Sequence, residues 1–198
     1  MLPIYQRPAT TRLRRTSYGG AAFLPDRAAT VELNAQAFAL LCWLAVPQDL
    51  RQLRDRYRHQ FGDHLTLAEL DHLARRLMDY GFLEPGVPGH AAVPVFTAPE
   101  AVPIAPESVH LQLSRHCNLH CPACYVVREQ ADTALPLTRW LTLVTEIATA
   151  GVFQLAIGGG EPLLSPQLIP VIRQARAVGL LPNITTNLCQ VRMTIWSP

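Results

Sequence analysis

The sequence contains no lysine; all seventeen of its basic residues are arginine. An amine nucleophile or a lysine Schiff base is therefore excluded for this chain, and the absence itself reads as compositional bias. Charge is scarce: 16% of residues are charged and the formal net charge is +2, too little to imply a polyanion partner. Long apolar runs are missing too. The longest, Ala35 to Val46 with Gln36 interrupting, is too short to cross a bilayer and reads as a buried helix. The amino terminus carries arginines but no apolar stretch ending in a small-residue cleavage site. These absences predict a cytoplasmic protein with neither nucleic acid nor membrane as a partner. The five cysteines are odd in number, and three of them crowd into residues 117–124, a pattern that suits metal binding better than disulfides.

What is present is 49% hydrophobic sequence, enough to bury a core. The pattern divides it into an α+β domain over residues 1–85, a linker over 86–107 and an α/β domain over 108–198. Six prolines from Pro85 to Pro106, with small residues between them, mark the linker as a semi-extended spacer. In the first domain, Leu13 to Ser17 and Ala29 to Leu33 read as short strands, broken by turns at Gly19-Gly20 and Pro25-Asp26. Asn34 caps an apolar helix running to Ala45. Leu50, Leu53, Tyr57 and Phe61 follow at helical spacing, and Thr66 with Glu69 forms a capping box for a third helix bearing Leu70, Leu73 and Leu77, closed by Gly81.

Strands followed by three helices is the order of a winged helix. Tyr18-Gly19-Gly20, the strand Ala29 to Asn34, Leu50 to Leu53, and Leu77 to Leu83 with Gly81 resemble the small peptide chaperone of pyrroloquinoline quinone synthesis. That resemblance implies a recognition element for ribosomally made precursor peptides, in which a leader peptide pairs as an extra strand with the third strand and packs on the third helix. The competing reading is a DNA-binding winged helix with Arg51, Arg54, Arg56 and Arg58 on phosphates. Those arginines are distributed around the helix and are diluted by Asp49, Asp55 and Asp63, so a solvated face accounts for them more simply. Cys42, between Leu41 and Trp43, reads as a packing residue.

In the second domain Val109, Leu111 and Leu113 alternate with His110, Gln112 and Ser114 as in a strand. The chain then runs into Cys117, Cys121 and Cys124. Three thiols on one short loop, at spacings of four and three, can reach three irons of an iron-sulfur cube. A fourth iron without a protein ligand would be open to a substrate or cofactor. Zinc is the alternative, with His120 or His116 completing a Cys3His site. Downstream, a helix over Thr138 to Ala150 ends at Gly151, and a strand over Val152 to Ile157 leads into Gly158-Gly159-Gly160-Glu161-Pro162. In such a series, loops that follow strands lie at one carboxyl-terminal face, so the cysteine and glycine loops are expected to converge. Glycines let the backbone approach a ligand, and the Glu161 carboxylate is an acceptor suited to an ammonium group.

Together, Cys117, Cys121 and Cys124 with Gly159, Gly160, Glu161 and Pro162 resemble the radical S-adenosylmethionine superfamily. The resemblance implies that the cysteines hold a 4Fe-4S cluster, that S-adenosyl-L-methionine binds its open iron and the glycine loop, and that an electron donor reduces the pair to give a 5′-deoxyadenosyl radical. Ile184-Thr185-Thr186-Asn187 resembles the third strand of that family's barrel and carries Asn187 over as a cofactor neighbour, although Leu188 stands where relatives have glycine. Cys189 reads as a packing residue. Ala123 replaces an aromatic residue usual beside the cofactor's adenine; Tyr125 is near in sequence, but its side chain is expected to point elsewhere. No catalytic side chain is assigned.

Residues 108–198 have room for about three βα units, the first half of the family's partial (β/α)6 barrel, which leads us to expect a fragment with its last strand edge unpaired. The leading expectation is a radical enzyme that modifies a ribosomally made precursor peptide, with the leader held at the first domain and the core peptide presented to the second. The alternatives are a catalytically incomplete peptide-binding protein and a zinc-binding winged-helix regulator.

Overall fold

The computed structural model describes residues 3–62, 65–87, 105–126 and 135–190. The chain divides into two compact units, residues 1–102 and 103–198. Most of the sequence expected to be a linker, residues 88–104, lies outside the described residues.

The first unit is built on an antiparallel meander of β2 (Arg12–Thr16), β3 (Gly19–Leu24) and β4 (Ala29–Asn34), with β3 in the middle. Sequence reasoning placed a turn at Gly19-Gly20; the structure makes these the first residues of β3, and the turn falls at Ser17-Tyr18. Close packing is the reason. A Cβ at Gly20 would run into the Phe38 ring, and one at Gly19, whose φ is +149°, into the Leu33 carbonyl oxygen. The helix α1 (Ala35–Trp43) can therefore lie directly on the glycine end of β3.

Local signals set the helices that follow. The Asn34 side chain accepts from the Ala37 amide at 2.9 Å and starts α1. Asp49 and Gln52 form a capping box for α2 (Leu50–Phe61), and Thr66 and Glu69 form the expected one for α3 (Leu67–Asp79). Gly81, at φ +84°, reverses the chain after α3, with the Phe82 amide returning to the Leu77 carbonyl at 2.8 Å. Three very short strands, β1 (Ile4–Gln6), β5 (Gln48–Asp49) and β6 (Glu84–Pro85), form a second sheet in the order β5-β1-β6. It ties the start of the chain to the entry of α2 and the exit of α3. Leu13, Leu41, Leu53, Leu70 and Phe82 fill the core between these elements.

The second unit is a parallel sheet in the order β7-β8-β9, formed by β7 (Ser108–Ser114), β8 (Gln154–Gly159) and β9 (Leu181–Ile184). Between the strands run α4 (Leu137–Thr149) and α5 (Leu168–Ala177). Leu111, Leu113, Leu155 and Ile157 pack with Trp140 and Val144 of α4 and Val171 and Ala175 of α5. The alternate residues His110 and Gln112 are exposed. The strand β9 stops at Ile184, so Thr185, Thr186 and Asn187 form a loop rather than extending the strand. Only the Thr185 amide continues the ladder, donating to the Ile157 carbonyl at 2.9 Å. Among the described residues β9 pairs with β8 alone, and no helix is long and apolar enough to cross a membrane.

Candidate functional site

The site forms where β7, β8 and the segment after β9 end side by side. A register shift between Gln112 and Ser114 brings Ser114 opposite Gly159. Gly159 has φ +122°, and a Cβ there would run into the Ser114 carbonyl oxygen, so this crossing requires glycine. Beyond it the two loops are joined by backbone hydrogen bonds. The Gly160 amide donates to Ser114 O at 2.7 Å and the Glu161 amide to His116 O at 2.8 Å. At Gly160 a Cβ would be driven into the His116 carbonyl. The expected convergence of the cysteine and glycine loops is thus present and depends on missing side chains.

The cysteine loop leaves this junction with Cys117 half-buried and Cys121 and Cys124 exposed. The Leu119 amide donates to Cys117 Sγ at 3.4 Å, and the Cys124 amide donates to Cys121 O at 3.3 Å, closing a turn. His116 and His120 are exposed. None of the three is held in a disulfide. By chemistry and by sharing one loop they suit a thiophilic iron centre. Among the described residues, however, no three His, Cys, Asp or Glu side chains are gathered as a preassembled metal group.

Glu161 is 1% exposed. Its Oε1 accepts from the Leu163 amide at 2.9 Å and the Thr186 hydroxyl at 2.7 Å, and its Oε2 accepts from the Asn187 amide at 2.8 Å. The carboxylate read from sequence as an acceptor for an ammonium group is instead turned inward onto the chain's own donors. Pro162, also buried, opens the 3-10 turn Pro162–Leu164 that the Glu161 side chain caps. Asn187 reaches across to the cysteine loop: its Nδ2 donates to Asn118 Oδ1 at 2.9 Å and lies 3.8 Å from Cys117 Sγ. Cys189 is exposed rather than packed; its amide donates to Asn187 Oδ1 at 3.0 Å. Leu188 holds a left-handed φ of +60°.

His110, in the sequence only an alternating strand residue, lies beside the glycine loop. Its ring lies 6.4 Å from that of Tyr125, and a Cβ at Gly158 would lie 2.7 Å from His110 Nε2 and 3.5 Å from the Tyr125 hydroxyl. The strict alternation along β7 placed His110 on the face away from the helices; only the structure shows that Tyr125 joins it.

In the first unit, β4 pairs only with β3 among the described residues, leaving its other edge open. A cavity of about 380 Å³ opens elsewhere, lined by Arg15, Tyr18, Phe38, Cys42, Trp43 and Phe61. Cys42 is half-buried, and burial raises its thiol pKa above the ordinary value, in keeping with a packing role.

No protein-family model matches the chain. Among curated proteins it is similar to the PqqA peptide cyclase of Streptomyces rochei, 34% identical over 87 residues, covering 42% of this chain and 23% of that protein. It is similar also to the PqqA peptide cyclase of Xanthomonas euvesicatoria pv. vesicatoria (strain 85-10), 39% identical over 88 residues, covering 41% of this chain and 23% of that protein. The chain thus spans less than a quarter of the length of these curated relatives. Among solved structures, Streptococcus suis SuiB bound to S-adenosylmethionine matches with a TM-score of 0.62 at 15% identity, covering 96% of this chain and 44% of that one. SuiB bound to its precursor peptide SuiA matches with a TM-score of 0.60 at 14% identity, with the same coverage. At such identities the likeness speaks for the fold. The expected resemblance to peptide-maturing radical S-adenosylmethionine enzymes, drawn from the cysteine and glycine motifs together with the first domain, agrees with these likenesses: to PqqA peptide cyclases in sequence, and in fold to SuiB in its complexes with S-adenosylmethionine and with SuiA.

Proposed function

We propose that this chain carries the precursor-peptide recognition module and the cluster-binding part of a radical S-adenosylmethionine peptide maturase. The observation that supports it most is the hydrogen-bonded convergence of the cysteine loop, the glycine loop and the Thr186–Asn187 loop at the carboxyl end of one parallel sheet. In this reading residues 1–85 are a winged-helix-like module and residues 108–198 begin a partial (β/α)6 barrel. Cys117, Cys121 and Cys124 would hold a 4Fe-4S cluster, closing around it from a loop whose cysteines form no disulfide. Gly159 and Gly160 bring backbone rather than side chains to the place where S-adenosyl-L-methionine would sit, Glu161 and Pro162 fix the turn behind them, and Asn187 lines the opposite side. When bound, cluster and cofactor would supply a 5′-deoxyadenosyl radical, with an electron donor as partner.

The chain's own part is to place the substrate. The open edge of β4 is suited to accept a leader peptide as an added strand, and the resemblance implies that the leader would also pack on α3. Tethering both units in one chain would raise the local concentration of the core peptide. A cytoplasmic setting suits free thiols and a reduced cluster.

The test is anaerobic reconstitution of the purified chain with iron and sulfide, read by metal and sulfide content and by optical spectrum, for the wild type and Cys121→Ala. A brown wild type with about four irons per chain and a variant that loses the chromophore would support the reading. A colourless protein that retains zinc would overturn it.

A further inference from the structure

We propose that Glu161 is a positioning residue, whose buried carboxylate anchors the loop after β9 so that Asn187 holds Asn118 and the Cys117 thiol in place. The carboxylate joins two segments distant in sequence. It takes the Leu163 amide from its own turn and both the Thr186 hydroxyl and the Asn187 amide from the loop after β9. Thr186 Oγ1 accepts in turn from the Leu188 amide at 3.0 Å, and Asn187 Oδ1 accepts from the Cys189 amide. Through these bonds the loop is fixed at both ends of Asn187, leaving its Nδ2 aimed at Asn118 Oδ1 and Cys117 Sγ.

A carboxylate taken out of water is costly unless donors replace its hydration. Here the donors come from the chain, so the group would lose several bonds at once if the loop departed. Asn187 approaches Cys117, which is the half-buried cysteine of the three. The connection therefore acts on the half-buried Cys117, whereas Cys121 and Cys124 are exposed. This inference rests on the proposed function for the importance of Cys117, while the coupling itself is a property of the metal-free chain.

The experiment is site-resolved thiol alkylation of the full metal-free chain under reducing, anaerobic conditions, read by mass spectrometry together with backbone amide exchange. Glu161→Gln keeps the size but sets an NH2 group against one of the donors. It should raise the Cys117 rate about fivefold, the loss of roughly one hydrogen bond, with Cys121 and Cys124 unchanged and exchange faster across residues 185–189. Thr186→Val should act in the same direction, and Thr186→Ser should restore wild-type behaviour. Asn187→Ala should free Cys117 while leaving the Leu163 amide protected. The proposal is overturned if Cys117 keeps its rate in Glu161→Gln and Thr186→Val. It is also overturned if all three thiols speed up together with exchange throughout residues 105–190, since that describes general loosening. Failure of wild-type reconstitution would count against the proposed function and leave these ratios unaffected.

Discussion

Replacing Gly160 with alanine should separate the two loops of the site. The new Cβ would be driven into the His116 carbonyl oxygen, and it would lie 2.5 Å from His116 C and 2.7 Å from Arg115 O. These are backbone atoms, with no side chain to rotate away. Restoring an ordinary contact of about 3.5 Å requires the two sides of the junction to part by more than about 1 Å, which breaks the bonds from the Gly160 amide to Ser114 and from the Glu161 amide to His116. Two such bonds contribute about 1 kcal/mol each, and overpacking adds about 1–3 kcal/mol. The expected loss is therefore about 3–5 kcal/mol, which lowers the melting temperature of a unit this size by at least about 12 °C. Gly158→Ala is the matched control. Its Cβ would meet His110 Nε2 at 2.7 Å, but that atom ends an exposed side chain that can turn aside, so the loss should stay under about 1 kcal/mol. Urea titration followed by amide exchange in residues 105–126 reads the second unit alone. Equal losses in the two variants, or a Gly160→Ala protein as stable as wild type, would refute the reasoning.

Leu188→Gly should stabilise the second unit by up to about 1 kcal/mol, because the residue is held at a left-handed φ and is 58% exposed; chemical denaturation that shows a clear loss would contradict this. Thr66→Ala removes one half of the α3 capping box and should cost about 1 kcal/mol, measured the same way and accompanied by faster exchange in the first turn of α3. Tyr5 donates to Asp71 Oδ1 at 3.1 Å, and burial together with that carboxylate raises its pKa above the ordinary value of 10.0. The folded unit then binds its phenolic proton more tightly than the unfolded chain, so the Tyr5 contribution is complete below about pH 10 and is lost as pH rises through the raised value. Tyr5→Phe should flatten that alkaline decline in stability while lowering stability slightly at pH 8; an unchanged alkaline slope would show that Tyr5 is not its source.

Much of this was legible because the signals are local. Asn34, Thr66 and Glu69 announce helix starts through side chains that cap their own backbone, and the cysteine and glycine motifs announce loops by spacing alone. The strand β3 was not legible, since four of its six residues are glycine or alanine and what keeps them extended is the packing of Phe38 and Leu33 against them. The short strands β1, β5 and β6 carry no periodic pattern and exist through contacts between Tyr5 and positions 48 and 85. The inward turn of Glu161 was hidden for a similar reason: two of its three donors lie 25 and 26 residues further along the chain. Sequence reasoning identified Asn187 as a neighbour of the site from its place in a motif, but not the hydrogen bond to Asn118 that brings it there.

The most direct test of the central claim is formation of 5′-deoxyadenosine by the reconstituted chain after anaerobic reduction in the presence of S-adenosyl-L-methionine, quantified by chromatography and compared with Cys121→Ala. The account predicts 5′-deoxyadenosine from the wild type and none from the variant. A wild type that binds its full complement of iron and sulfide yet leaves S-adenosyl-L-methionine intact would contradict it.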